Sequence, residues 1–368
     1  MRLAEPPPAE YAQLKALPKV DLHDHLDGGL RSETIIELAS QASHPLPKDT
    51  PQALGQWFFD QANAGSLPAY LETFDHTLAV MQQPDHLARV AREAVADLAH
   101  DGVVHAELRF APELHTHQGL SLDQVVDAVL AGLGQGRQDN PGVSTGLILC
   151  AMRQNTRQAA IADLALRYRH RGVVAFDLAG PEAGFPPSLF QNILRRLRLA
   201  SFPVTLHAGE ADGVASILQA VHLGGAIRIG HGLRLIDDIE GWDSPDPNDA
   251  KLGHFAHWVR DQAIALELCP TSNLQTGAAH SYASHPITAL RRLGFTVTIN
   301  CDNRLMSNTS VSQEMWHLTQ QAGWSLTDLA QTTLDAASAA FIPADQRQDL
   351  IDQRILPRLA DSAHRLRL

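Results

Sequence analysis

The sequence predicts an α/β fold, a (β/α)8 TIM barrel with a helical insertion after the first strand. Three observations predict it. Eight short runs rich in β-branched and apolar residues recur along the chain. Segments with helical spacing and helix punctuation lie between them. No run is followed by the Gly-x-Gly-x-x-Gly turn expected of an open, dinucleotide-binding sheet.

The first run is "KVDLHDH" (19–25). About 80 residues then pass before the second, "VVHAELRF" (103–110). That gap holds helical patterns, the aromatic group Trp57, Phe58 and Phe59, and the segment "HLARVAREAVADLAHDG", which stops at Gly102. In a barrel an insert over about 31–100 follows the first strand at the C-terminal face, where active sites sit. It reads either as a lid or as extra helices packed on the barrel. "SLDQVVDAVLAGL" opens on Ser121 as an N-cap and leads to "VSTGLILC" (143–150). "NTRQAAIADLALRYRHRG" ends at Gly172, before "GVVAFDLA" (172–179). The remaining runs are "FPVTLHAG" (202–209), "AIRIGHG" (226–232), "AIALELCP" (263–270) and "FTVTINCD" (295–302). No linker or repeat divides the chain, so residues 1–368 read as one domain.

Composition narrows the function. With 44% apolar residues the chain has material for a large core. A net charge of -12 disfavours a nucleic-acid partner. The basic run Arg195 to Arg198 has helical spacing and reads as a solvated helix face. Cys150, Cys269 and Cys301 are odd in number and lie in or beside apolar runs, so they read as buried thiols in a reducing compartment. The start, with Pro6 to Pro8, has no apolar core of signal-peptide length. No window approaches the length of an apolar membrane span. A cytoplasmic protein without a membrane partner is expected.

The chemistry gathers at strand ends. His23 and His25 are two residues apart on the first strand, so both side chains face one way, towards the barrel axis. His207, His231 and Asp302 end the fifth, sixth and eighth runs. All five belong to one rim. Polar groups buried there are costly unless paired or bound to a metal ion, and a metal site is expected. His115-Thr116-His117 has the same spacing as His23 and His25, but nothing around it in sequence supports a site. His105-Ala106-Glu107 begins a zinc-deaminase pattern whose Pro-Cys-x-x-Cys half is missing, since Cys269-Pro270 has the reverse order and no second cysteine. Glu107 and Arg109 share a strand face and read as an internal ion pair.

The segments "LPKVDLHDHLDGGL", "YLETFDHT", "DGVVHAELRFAPELH", "FDLAGPE", "HAGE", "GHGLR", "ELCPTSN" and "NCDN" together resemble the adenosine deaminase family of metal-dependent amidohydrolases. The resemblance runs from Leu17 to about Ser310. It implies hydrolytic deamination of adenosine and 2'-deoxyadenosine, in purine salvage. It assigns His23, His25, His207 and Asp302 as ligands of one zinc ion, with other divalent transition metals as alternatives. It assigns Glu210 as the acid facing purine N1 and His231 as the histidine that orients the attacking water beside Asp302. The substrate, a small-molecule purine nucleoside, would touch His25, Asp27, Gly180 and Asn303. Asp27 matches the residue that binds a ribose hydroxyl, where relatives preferring free adenine read Leu-Glu-Gly. Many members have aspartate at position 303; an Asn303 amide donates to purine N7 at any pH. Deamination of adenine or another 6-aminopurine, and purine binding without turnover, are the other readings.

Overall fold

The computed structural model describes residues 8–64 and 67–366. Pro6 and Pro7 of the proline run lie outside the described residues, as do positions 1–5, 65–66 and 367–368 of the span read as one domain. Eight strands form the barrel: β1 (Lys19–His25), β2 (Val103–Phe110), β3 (Ser144–Met152), β4 (Val173–Ala179), β5 (Thr205–Ala208), β6 (Arg228–His231), β7 (Ala265–Leu268) and β8 (Val297–Ile299). β1 to β4 pair in parallel in chain order, and so do β5 to β8. Two parallel bridges join the halves, Phe176 to Val204 and Asp24 to Asp302. At the second, Asp302 N donates to His23 O and His25 N donates to Asp302 O, both at 2.8 Å. The seam that closes the barrel therefore runs through the predicted ligands.

The expected strands are all present, and the later ones are shorter than their apolar runs. β5 starts at Thr205 because Pro203 has no N–H to offer the ladder. β7 stops at Leu268 because Pro270 is the first residue of helix Pro270–Gln275, where a missing N–H costs nothing. β8 ends at Ile299, and the Asn300 side chain continues the pairing. Its Oδ1 accepts from Leu22 N at 2.9 Å, and its Nδ2 donates to Leu268 O at 3.1 Å. A short antiparallel pair, Ile239–Glu240 with Lys251–Leu252, was not expected.

Barrel strands are buried on both faces. On β2, Ala106, Leu108 and Phe110 join the helix-facing core, while His105, Glu107 and Arg109 are buried on the other face. Helices between the strands close the outer layer. Ser121 caps helix Leu122–Asp139 in a reciprocal capping box with Gln124. On helix Gln191–Leu199, Leu194 and Leu197 are buried and the arginines lie on the solvent side, as the solvated-face reading expects.

Between β1 and β2 lie helices Ser32–Ala42, Pro51–Ala62, Leu67–Val80 and Pro84–His100. Phe58 is fully buried, with Trp57 and His76 packed edge-on around it. Tyr70 on the third of these helices reaches Asn303 beyond β8, at 2.9 Å. This segment therefore supplies one wall of the C-terminal face. No helix among the described residues is long and apolar enough to cross a membrane. The three cysteines are buried and unpaired.

Candidate active site

The rim of the barrel gathers the expected histidines. The His23 ring centroid lies 4.7 Å from that of His207 and 4.8 Å from that of His231. His25 Nε2 is 3.3 Å from His207 Nε2 and 3.4 Å from Asp302 Oδ1. Asp302 Oδ1 is also 3.7 Å from His23 Nε2, a buried atom with no hydrogen-bond partner. Burial, with Arg109 and the neighbouring histidines, holds His23 and His25 well below the ordinary imidazole range. At His207 burial is outweighed by Asp177, which raises the pKa. Ring nitrogens of all three histidines converge beside Asp302, an arrangement that fits a cation. Three imidazoles and a carboxylate, without thiolate, suit a borderline divalent metal.

The backbone is strained where the site needs it. His231 and Asp302 have φ of 61° and 59°, a region that non-glycine residues rarely adopt. Both sit just where a strand turns into its loop. That turn swings their side chains back over the barrel mouth.

Carboxylates behind the cradle orient the rings. His23 Nδ1 lies 2.8 Å from Glu267 Oε2, and His207 Nδ1 lies 2.8 Å from Asp177 Oδ2. With Nδ1 held outward, each Nε2 points inward. Arg109 spans the two acids, donating to Asp177 at 2.9 Å and to Glu267 at 2.6 Å. Arg228 joins Glu267 to Glu107. Burial works against charge at Glu267, but Arg109 and Arg228 win and hold it down to about 2. The same contest leaves Asp177 well below the carboxylate range, with His207 and Arg109 lowering it.

The expected Glu107–Arg109 pair does not form. Both residues point into the barrel, but successive inward residues sit about 7 Å apart along a strand. Partners from other strands lie in the same layer, so Glu107 meets Arg228 and Arg109 meets Asp177 and Glu267. Sequence reasoning missed Asp177, Glu267 and Arg228 as supports of the site. Their signal was a charge inside an apolar strand run, which has to find a partner.

Glu210 lies beside this cradle. Its Oε2 is 3.5 Å from His231 Nε2, and its Oε1 accepts from Asn273 Nδ2 at 2.8 Å and Thr276 Oγ1 at 3.0 Å. Burial pushes its pKa up. The loop that carries it is held by Glu182, which accepts from the backbone N–H groups of Gly209, Glu210, Ala211 and Asp212. Asp302 accepts from Ser272 Oγ at 2.6 Å and from Asn303 Nδ2 at 2.9 Å, and burial raises its pKa as well.

The remaining expected residues line the approach. Asp27 sits in the turn Leu26–Gly28, not at the cap of helix Ser32–Ala42, whose N-cap is Arg31. It is 4% exposed, and its Oδ1 has no hydrogen-bond partner. His115, which its own neighbours in sequence left without a role, lies with Nε2 3.9 Å from Asp27 Oδ2. Gly180 follows β4 at φ 86°, a conformation that favours glycine. Asn303 packs on Gly28, where a Cβ would lie 2.0 Å from its Oδ1. Its amide donates to Asp302 and to Tyr70 OH, which leaves the Tyr70 O–H free to donate elsewhere.

Three buried histidines outside the proposed ligand set make stability depend on pH. Burial lowers His231 and His317 to about 4 and His285 to about 3. The unfolded value is about 6.5, so the unfolded chain binds more protons as pH falls below it. Stability is complete above about 6.5 and is lost towards 4 and 3. Linkage gives about 1–2 kcal/mol per histidine between pH 7.5 and 5.5. Urea denaturation should show that fall, with a shallower one in His285→Gln. Equal stability at both pH values in the unmodified protein would contradict it.

Fold and site define a class, a barrel hydrolase with a metal cradle at its C-terminal rim. The sequence profile of the adenosine deaminase family matches residues 18–355. The chain belongs to that family. It is 49% identical to an adenosine deaminase of Mycobacterium marinum, over 94% of this chain and 96% of the relative. It is 50% identical to adenosine deaminase 1 of Streptomyces coelicolor, over 95% and 89%. Among solved structures it resembles a zinc-bound amidohydrolase from Burkhoderia ambifaria (TM-score 0.83, 25% identity, 100% and 97% covered). An adenine deaminase from Arthrobacter aurescens shares the fold (TM-score 0.80, 24% identity, 96% and 100% covered).

Proposed function

We propose that this chain hydrolyses adenosine and 2'-deoxyadenosine to inosine and 2'-deoxyinosine plus ammonia, with one zinc ion held by His23, His25, His207 and Asp302. The observation that carries the reaction is a half-buried acid, Glu210, fixed beside His231 at the edge of a histidine cradle. Family membership supports the same reading. A cytoplasmic role in purine salvage accords with it.

Zinc bound here would lower the pKa of water towards about 7 and so make a nucleophile available at neutral pH. Asp302 takes a proton from the attacking water, and His231 holds that water over purine C6. Glu210, its pKa raised by burial, gives its proton to N1 and makes C6 electrophilic. The C6–O bond forms and the ring carbon becomes tetrahedral. Asp302 returns the water proton to the amino group, the C6–N bond breaks and ammonia leaves, and the remaining hydroxyl proton passes to Glu210 as C6=O forms. Gly180 offers its backbone N–H to N3. The Asn303–Tyr70 pair faces N7, with the Tyr70 hydroxyl as the available donor.

Asp27 selects the nucleoside. Its Oδ1, which accepts no hydrogen bond and has His25 Nδ1 3.9 Å away, is placed to accept from a ribose hydroxyl, most simply the 5'-OH. Free adenine brings no hydroxyl, and a 5'-phosphate sets like charges together. Adenosine and 2'-deoxyadenosine should exceed adenine and AMP by at least about 10² in kcat/KM. Asp27→Ala should lose activity on adenosine by about 1.5–3 kcal/mol of binding and change adenine turnover much less. Ultraviolet absorbance on the four substrates reads this, with a chelated sample that should be inactive until zinc is returned. Equal kcat/KM for adenine and adenosine would favour an adenine deaminase, and full activity after chelation would remove the metal.

A further inference from the structure

A buried run of hydrogen bonds begins at a helix end and finishes on two groups of the proposed reaction. Each bond dictates the direction of the next. The Ile287 backbone N–H, in the first turn of helix Pro286–Arg292, donates to His285 Nδ1 at 3.0 Å. Backbone N–H groups only donate, so Nδ1 is the acceptor and the neutral ring carries its proton on Nε2. Burial keeps the ring neutral.

His285 Nε2 lies 3.3 Å from Asn273 Oδ1. That contact requires oxygen on this side of the amide and removes the usual ambiguity of a 180° flip. The Asn273 nitrogen then faces the site, 2.8 Å from Glu210 Oε1 and 3.2 Å from His231 Nδ1. Its two hydrogens serve both. Asn273, His285 and His231 are 0%, 1% and 1% exposed, so water does not compete for the bonds among them.

We propose that Asn273 and His285 are positioning residues that decide which nitrogen of His231 and which oxygen of Glu210 carry a proton. His231 Nδ1 is occupied by a donor, so the proton of the neutral ring is on Nε2, the nitrogen 3.5 Å from Glu210 Oε2. Glu210 Oε1 receives both Asn273 and Thr276, so the acid proton is on Oε2. His231 therefore donates to the attacking water and does not take its proton. That duty falls to Asp302 alone.

Asn273→Asp tests this, because it keeps the shape and replaces the donor with an acceptor. Nitrogen-15 NMR of histidine-labelled, zinc-loaded protein without substrate reads the tautomer. His231 should be protonated on Nε2 in the unmodified protein and on Nδ1 in Asn273→Asp. His285→Gln, which can still accept from Ile287 and donate to Asn273, should keep the native tautomer, and His285→Leu should lose it. The kinetic arm rests on the adenosine reading; there kcat of Asn273→Asp should fall at least about 10² with KM within threefold. The NMR arm needs no substrate, so it holds or fails independently of that reading. A native His231 protonated on Nδ1 would overturn the proposal. So would an unchanged tautomer in Asn273→Asp or, should that variant not fold, in His285→Leu.

Discussion

Glu210→Gln is expected to lower kcat on adenosine by about 10²–10⁴. The amide keeps the shape of the acid and still offers an oxygen to Asn273 and Thr276, which hold Glu210 Oε1. The loop itself is anchored through Glu182 and the backbone, not through the Glu210 side chain. Fold and metal content should therefore be unchanged. What disappears is a transferable proton. Glutamine can hydrogen-bond N1 but cannot protonate it, so C6 stays a poor electrophile. Steady-state kinetics with elemental analysis of the same sample decides the matter. A kcat within threefold of the unmodified protein would exclude Glu210 as the acid.

Arg109→Met is expected to destabilise the protein by about 3–5 kcal/mol, a large share of the roughly 5–15 kcal/mol typical of a folded domain. Arg109 is fully buried and holds two fully buried carboxylates. Methionine fills much of the volume but leaves Asp177 and Glu267 short of positive charge. Those acids orient His207 and His23, so metal affinity should also fall by about 10- to 100-fold. An exposed pair gives the scale. Arg167 and Asp123 are about half exposed, and Arg167→Met should cost no more than about 1 kcal/mol. Urea denaturation of both variants, with metal titration, checks the contrast. Equal costs would mean that the buried network is not what holds the barrel core together.

Site residues differ in how far local pattern reveals them. His23 and His25 declare themselves because strand periodicity puts residues two apart on one face. His207, His231 and Asp302 follow from position, as polar residues where apolar runs end. Glu267 and Asp177 stand inside such runs, and their burial is readable as a charge needing a partner. The partner is not readable. Arg109 is two residues from Glu107 in sequence yet bonds to strands four and seven, because the barrel interior is filled in layers drawn from several strands. Asn273, His285 and Glu182 carry even less local signal. Each looks like an ordinary loop or cap residue until the loops are brought over the barrel mouth.

The sequence by itself determined the barrel, the place of each strand and the rim on which the chemistry gathers. Those depend on apolar periodicity, turn residues and the type of side chain at each strand end, all of which act over a few neighbouring residues. Only the tertiary structure decided which acid backs which histidine, and that His115 stands beside Asp27. It alone also decided the direction of the hydrogen bonds running from Ile287 to His231. The reason is physical: a hydrogen bond or buried ion pair needs contact at about 3 Å, and closure of the barrel brings together residues as distant in sequence as Arg109 and Glu267.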